Sequence, residues 1–378
     1  MVHRPIPATQ GLLLIGLFSA FKGFNSQVQG WGQPYWIVDY GHGLIKRGFL
    51  GSVYWTLFDR ADLNRIWSSV LTLHLVVSVA LLAGIVEWVR QQRPDNALLS
   101  VGLLFAASLF MPTLVYLSGY LDVYLYALAA VAAYFAAQGE LRPAIGIGII
   151  APFIHESYIF VWAPIALLLL LKRTERPHLI AAAMPVIASM AVYILHSQSA
   201  AVIEVTAAPL PDGVKEGMIN VQFGQSIIWA FKTMLLKWWE NPGRAAKSIA
   251  FFTLPTAACL WIYIHARLLS LQEAGALLVA SFLPALILLI AWDLSRFLVA
   301  TSLSAVLAIL FAETAWMPAR RKMAGWSTTA AGLLAGFYLL CPFVYAYFES
   351  AMVASSGLLP LERWMIGRAI ITTFGSGY

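Results

Sequence analysis

At 378 residues with 60% hydrophobic and only 11% charged side chains, the chain is too apolar for a water-soluble domain. Its apolar runs of roughly 16 to 24 residues match a hydrocarbon core about 30 Å thick, so it reads as an all-α polytopic membrane protein. The formal net charge of +6 would suggest nucleic acid in a soluble protein. Here Lys and Arg stand mostly in short loops between apolar runs, where they set orientation, so no nucleic-acid partner is expected.

About eleven membrane segments are predicted, near 10–24, 66–89, 97–117, 122–138, 144–154, 157–171, 179–196, 248–265, 275–292, 297–313 and 326–346. The first run, Gly11 to Phe24, is not followed by a small-residue cleavage site, so no removable signal is expected. The loops Arg90 to Asn96, Glu140 to Pro143, Lys172 to His178, His265 to Leu268 and Pro318 to Lys322 are short and basic. Together with the N-terminal MVHRP they are expected on the cytoplasmic side.

Residues 144–171 decide the parity. As one helix this apolar stretch would be about 42 Å long, and both its flanks are basic, so it is predicted to fold as a hairpin of two short helices. The apex, Pro152 to Glu156, is expected part-way through the outer leaflet, sheltered by other helices. The loops then alternate, and the whole of 1–378 reads as a single integral membrane domain. Outside lie a first loop (25–65), the connection 197–247 and the C-terminal tail (347–378). Within 197–247 the Trp-rich run Ser226 to Glu240 reads as a helix lying in the interface, ended by Asn241-Pro242-Gly243; Leu361 to Phe374 reads as a second such helix. The two cysteines, Cys259 and Cys341, lie in apolar spans and read as packing residues, as does His74.

The predicted outer side collects the unusual charges, and a charge beside an apolar span costs several kcal/mol unless it serves something. The first loop carries Asp39, Tyr40, His42 and the adjacent Lys46-Arg47 among four glycines. Glycines permit close backbone approach, and a Lys-Arg pair suits a phosphate; the simpler role for the pair is contact with anionic headgroups. His155 and Glu156 point about 100° apart on a helix and so are expected to serve two neighbours, orienting a hydroxyl or base or binding a cation, or simply to satisfy each other. Asp122 opens a helix, where an acid is favourable anyway. Asp293 and Arg296, three apart, suit an intrahelical ion pair. Each signal has this ordinary explanation; their shared side is what points to a site.

An N-terminal helix, a long first outer loop containing Asp39 and Lys46-Arg47, many short-looped helices and the outer His155-Glu156 hairpin resemble the GT-C class of integral membrane glycosyltransferases, which use polyprenyl-phosphate-linked sugars. The resemblance is architectural; the chain has no large C-terminal soluble domain and no Asp-Asp or Asp-Glu doublet in its first loop. It implies a GT-C-like fold, a polyprenyl-phosphate-linked sugar donor, a glycan or lipid acceptor, and residence in a bacterial inner membrane with the active site facing outside. Under it Asp39 is expected as the base, with Glu156 and Asp122 as the other candidate acids. Lys46, Arg47 and Arg296 would hold the donor phosphate, and His155, Asp293, Tyr40 and His42 would orient acceptor or sugar. A divalent cation is left open, and neither a P-loop nor a dinucleotide fingerprint is present to hold a soluble nucleotide donor. Two alternatives stand beside it: a polymerase of lipid-linked polysaccharide, and a non-enzymatic glycolipid flippase or transporter, which would need polar residues along a path through both leaflets.

Overall fold

The computed structural model describes residues 6–28, 32–41, 48–58, 63–172, 175–195, 208, 227–289, 293–316, 328–341, 344–346 and 351–353. In chain order the helices are α1 (Ile6–Lys22), α2 (Pro34–Ile37), α3 (Gly48–Leu57), α4 (Leu63–Gln91), α5 (Asn96–Ala107), α6 (Phe110–Tyr116), α7 (Asp122–Gln138), α8 (Leu141–Ile154), α9 (Tyr158–Lys172) and α10 (Arg176–Leu195). After these come α11 (Ile227–Glu240), α12 (Pro242–Arg267), α13 (Leu271–Phe282) with a 3₁₀ continuation Leu283–Leu289, α14 (Leu294–Ala315) and α15 (Thr329–Leu340). Each of the eleven predicted segments contains helix among its described residues. Six helices are long and apolar enough to cross a membrane, Asn64–Gln91, Asn96–Tyr116, Arg176–Leu195, Ala245–Arg267, Leu271–Leu289 and Leu294–Ala315; the other five are apolar but 10–17 residues long.

The predicted hairpin forms. α8 and α9, 14 and 15 residues, are about 21 and 22 Å long, short of a full crossing. His155, extended at φ −158°, ends α8. Side-chain bonds join helix ends into two sets. At one end, Lys22 of α1 donates to the carbonyls of Tyr338, Leu339 and Cys341 at the close of α15, and Asp122 of α7 meets Arg296 of α14. At the other, Trp88 Nε1 donates to Thr314 Oγ1 (3.1 Å) and Tyr134 Oη to Gln91 Oε1 (3.3 Å). The hairpin apex lies at the first end, because Tyr40 Oη donates to the Phe153 carbonyl. These are called the site end and the basic-loop end.

α14 is the centre of the bundle, buried at every residue from Leu294 to Glu313. Small residues bring its neighbours close: Ala129, Ala132, Ala133 and Ala136 of α7 are all buried, which lets helices pack at short range without the crowding of branched side chains. The last helix stops at Leu340, six residues before the expected 346. Cys341 precedes Pro342, and the proline ring drives the residue before it out of helical backbone, here to ψ 140°. The tail is not wholly helical either, since Val344–Ala346 and Ala351–Val353 pair as a short antiparallel ladder. The expected interfacial helix 226–240 is α11, whereas the one expected at Leu361 to Phe374 lies outside the described residues.

Candidate functional site

Four segments far apart in sequence meet at the site end. The first is α2 with the turn Val38 to Gly41. Trp36, fully buried, donates from Nε1 to the Gly119 carbonyl (2.7 Å), which bolts the first loop onto the bundle, and within the loop Trp55 Nε1 donates to the Ile37 carbonyl (2.6 Å). Two glycines make this possible. Gly119 has φ +94°, which side-chain-bearing residues rarely adopt, and a Cβ on Gly51 would lie 1.8 Å from the Val38 carbonyl oxygen. Asp39, 5% exposed, accepts the Gly41 N–H at 2.7 Å, an Asx turn. Tyr40 is fixed by Ser52 Oγ at its N–H (2.8 Å) and by the Phe153 carbonyl at its hydroxyl (3.3 Å); burial pushes its phenol up to about 12.

The second and third segments carry the main ion pair. Asp122 is the first residue of α7 and makes no side-chain cap. Instead its Oδ2 lies 2.7 Å from Arg296 Nη2, while Asp293 Oδ2 is 3.6 Å from Nη1. The intrahelical pair expected from spacing is therefore the looser of two contacts. The guanidinium lies 4.7 Å from the Tyr120 ring centre and 5.0 Å from that of Phe297, a partly cation–π environment. Arg296 is thus buried and already flanked by two carboxylates.

The fourth segment is the apex. Glu156 Oε2 approaches His155 Nδ1 at 3.4 Å, and the Ser157 N–H donates to the same nitrogen at 3.1 Å. The contacts exclude each other: a neutral ring accepts from Ser157 through Nδ1, and a protonated one donates to Glu156. Tyr35 of α2 packs edge-on against both Tyr120 (6.0 Å) and His155 (6.3 Å), tying the first loop to the other segments. Below them a cleft of about 260 Å³ is lined by Asp122, Tyr126, Ser157, Phe160, Val161, Pro284, Ile287 and Phe297, among others.

Sequence reasoning missed Tyr35, Tyr120 and Tyr126, whose burial nothing in their spacing marks. It read His74 as a satisfied packing residue. His74 Nε2 meets the Leu114 carbonyl at 2.8 Å, yet Nδ1 has no hydrogen-bond partner among the described residues. Among the described residues the Tyr124 and Tyr158 hydroxyls, Thr113 Oγ1 and Arg296 Nε of the site-end half are likewise buried without one, as are Ser248 Oγ, His178 Nδ1 and Trp316 Nε1, the last two at the basic-loop end. Unpaired polar atoms cost about 1–3 kcal/mol each when buried, and most of these lie at the end that carries the candidate site. Lys46, Arg47 and His42 lie outside the described residues. Among the described residues no group of three or more His, Cys, Asp or Glu could hold a metal ion.

The basic-loop end holds a second buried cluster that sequence reasoning did not single out. Arg267 binds Asp95 through two nitrogens, at 2.7 and 3.2 Å, and Glu313 through Nε. Glu313 inside an apolar span was the available signal. A cleft of about 750 Å³ opens nearby beside Leu171, Gln272, Glu273 and Trp316, where Glu273 is already engaged in a capping box with Ser270. No family model matches the chain, and neither a curated protein nor a solved structure matches it significantly.

Proposed function

We propose that the protein is a GT-C-like membrane glycosyltransferase that moves a sugar from a polyprenyl-phosphate-linked donor to a glycan or lipid acceptor. In this reading all eleven apolar helices belong to the membrane domain, and the site end faces outward from a bacterial inner membrane. The observation that carries it is the meeting of Asp39, Asp122, His155-Glu156 and Asp293/Arg296 at one end of an apolar bundle, beside a cleft lined by Asp122.

The chemistry needs few parts. An acceptor hydroxyl oxygen bonds to the anomeric carbon as the bond from that carbon to the phosphate oxygen breaks. A carboxylate takes the hydroxyl proton and cations stabilise the departing phosphate. Asp39 is assigned as the base, with Lys46 and Arg47 on the phosphate. Arg296 joins them by releasing a carboxylate, and the 3.6 Å contact with Asp293 is the one that yields. Asp122, Glu156, His155, Asp293, Tyr40 and His42 orient sugar or acceptor. A polymerase would use the same site with a lipid-linked glycan as acceptor.

One observation favours the transport alternative. Polar groups run the length of α14, from Arg296 through Thr301 and Ser302, which share Thr256 Oγ1 at 2.9 and 3.0 Å, to Glu313 on Arg267. A flippase would move lipid-linked sugar across a vesicle membrane without cleaving it. The test is release of free polyprenyl phosphate from lipid-linked sugars by the reconstituted protein. Asp39→Asn is expected to lower that rate by about 10²-fold or more with donor binding retained. Asp122→Asn and Glu156→Gln run beside it, and the base assignment moves to whichever alone loses activity. Full activity in all three variants would end the glycosyltransferase reading.

A further inference from the structure

The wall of the Asp122 cleft has an unusual build. The helix that begins as α13 does not stay α-helical: from Leu283 to Leu289 it is 3₁₀, seven residues long, whereas 3₁₀ runs beyond 3–4 residues are uncommon because their hydrogen bonds are poorer. Pro284 weakens the α-helical alternative at this point, although Pro152, Pro164, Pro185 and Pro255 are accommodated inside α-helices elsewhere. It has no N–H to give the Ala280 carbonyl, and its ring would crowd that oxygen in an α-helix.

With three residues per turn, side chains three apart stack above one another. Pro284 and Ile287 form the stripe that lines the cleft; Leu286 and Leu289, 51% and 40% exposed, form the stripe on the outer surface of the bundle. The third stripe includes Leu288, whose carbonyl accepts from Trp238 Nε1 of α11 at 3.4 Å. About two turns of poorly bonded helix therefore separate the cleft from the bundle's apolar exterior. The room for a water-sized sphere in the cleft is about 10 Å³, far below the roughly 300–1,000 Å³ of ligand pockets. It is a closed form.

We propose that Leu283–Leu289 is the movable wall of a lateral portal, through which the head of a membrane-borne lipid reaches Asp122 from the side. The open form has the segment wound as α-helix. That change shortens seven residues by roughly 3.5 Å and turns successive side chains by roughly 20° per residue relative to one another. Pro284 and Ile287 then no longer stack, and the cleft wall parts opposite Phe160 and Val161 of α9. The segment's position next to α11, which sets Phe231, Leu235, Leu236 and Trp239 on the outer surface, gives the lipid tail an apolar surface to lie along. The lipid identity of the occupant rests on the function proposed above; the movable wall does not.

Val161, 8% exposed on the opposite wall, is the reporter. In a background with buried Cys259 and Cys341 exchanged for Ala, Val161→Cys is expected to react with a lipid-soluble maleimide at least tenfold more slowly than Leu286→Cys on the outer stripe. Pro284→Ala restores an N–H for the Ala280 carbonyl and so favours the α-helical form; it is expected to raise the Val161→Cys rate about fivefold or more, and a polyprenyl monophosphate to lower it. A rate that Pro284→Ala leaves unchanged or lowers overturns the portal. If Pro284→Ala opens the cleft but the polyprenyl monophosphate gives no protection, the wall stands and the lipid-linked donor falls. Should Pro284→Ala fail to fold, amide exchange in the wild-type protein decides: residues 285–289 must exchange at least tenfold faster than 275–281, and equal protection rejects the movable wall.

Discussion

Arg296 and Asp122 define the residue scale, because nothing in a sequence links positions 174 apart whose side chains lie 2.7 Å from each other. What could be read was that charges beside apolar spans are costly and had gathered on one predicted side. Which acid an arginine chooses depends on how helices pack, and here α7 presents Asp122 more closely than Arg296's own helix presents Asp293. Removing one partner of a buried pair strands the other at a cost of about 3–5 kcal/mol. Arg296→Met is therefore expected to lower thermal stability in detergent sharply, and Asp122→Leu combined with it to recover much of the loss. Additive losses in the double variant would mean that the two charges do not stabilise each other. Tyr40 gives a pH-dependent counterpart. Its phenol is raised from 10 to about 12 by burial, so the neutral form is favoured in the folded chain and its contribution to stability is full below pH 10 and lost as pH rises through 12. Tyr40→Phe forgoes the bond to the Phe153 carbonyl and should be less stable at pH 8 by about 0.5–1.5 kcal/mol. The gap to wild type is expected to close between pH 10 and 12; a constant gap would show that the phenol does not titrate there.

Helices were the most legible part of the molecule, since long apolar runs bounded by basic loops leave few other structures open in lipid. The 144–171 hairpin followed from length and flanking charge alone, and α8 and α9 meet at His155 as that reasoning requires. The ends of elements were less legible. Arg267 and Asp95 looked like ordinary loop charges, yet α12 and α5 turn these ends inward onto Glu313, so that α14 carries a buried ion cluster at each end. The 3₁₀ continuation of α13 is likewise invisible to hydropathy, which does not register how a proline redirects hydrogen bonds. Lys22 shows the same limit: by position it is a charge closing α1, but its ammonium serves three carbonyls at the end of α15. Lys22→Met strips those carbonyls of a charged donor, a loss of about 1.5–3 kcal/mol. It should appear as faster amide exchange across Thr329–Leu340 with α8 and α9 unaffected. Unchanged protection of that helix would deny Lys22 its role as a tie between α1 and α15.

At the scale of the whole molecule, the contrast between the two ends matters most. Both hold a buried arginine between two carboxylates, but the site end adds an Asx-turn aspartate, a His-Glu apex, unpaired hydroxyls and a cleft behind a 3₁₀ wall. The basic-loop end pairs its buried arginine fully and opens its larger cleft beside Glu273 and Trp316. If the molecule works on a lipid-linked sugar, the two ends should differ in what they bind. The most direct measurement is a density map of the purified protein in a lipid nanodisc with a polyprenyl-phosphate-linked sugar. The expected result is head-group density in the cleft at Asp122 and Ser157, with the lipid tail leaving past Leu286 and Leu289. Density at the basic-loop cleft beside Leu171 and Trp316, or none at Asp122 under saturating lipid, would contradict the assignment of the site.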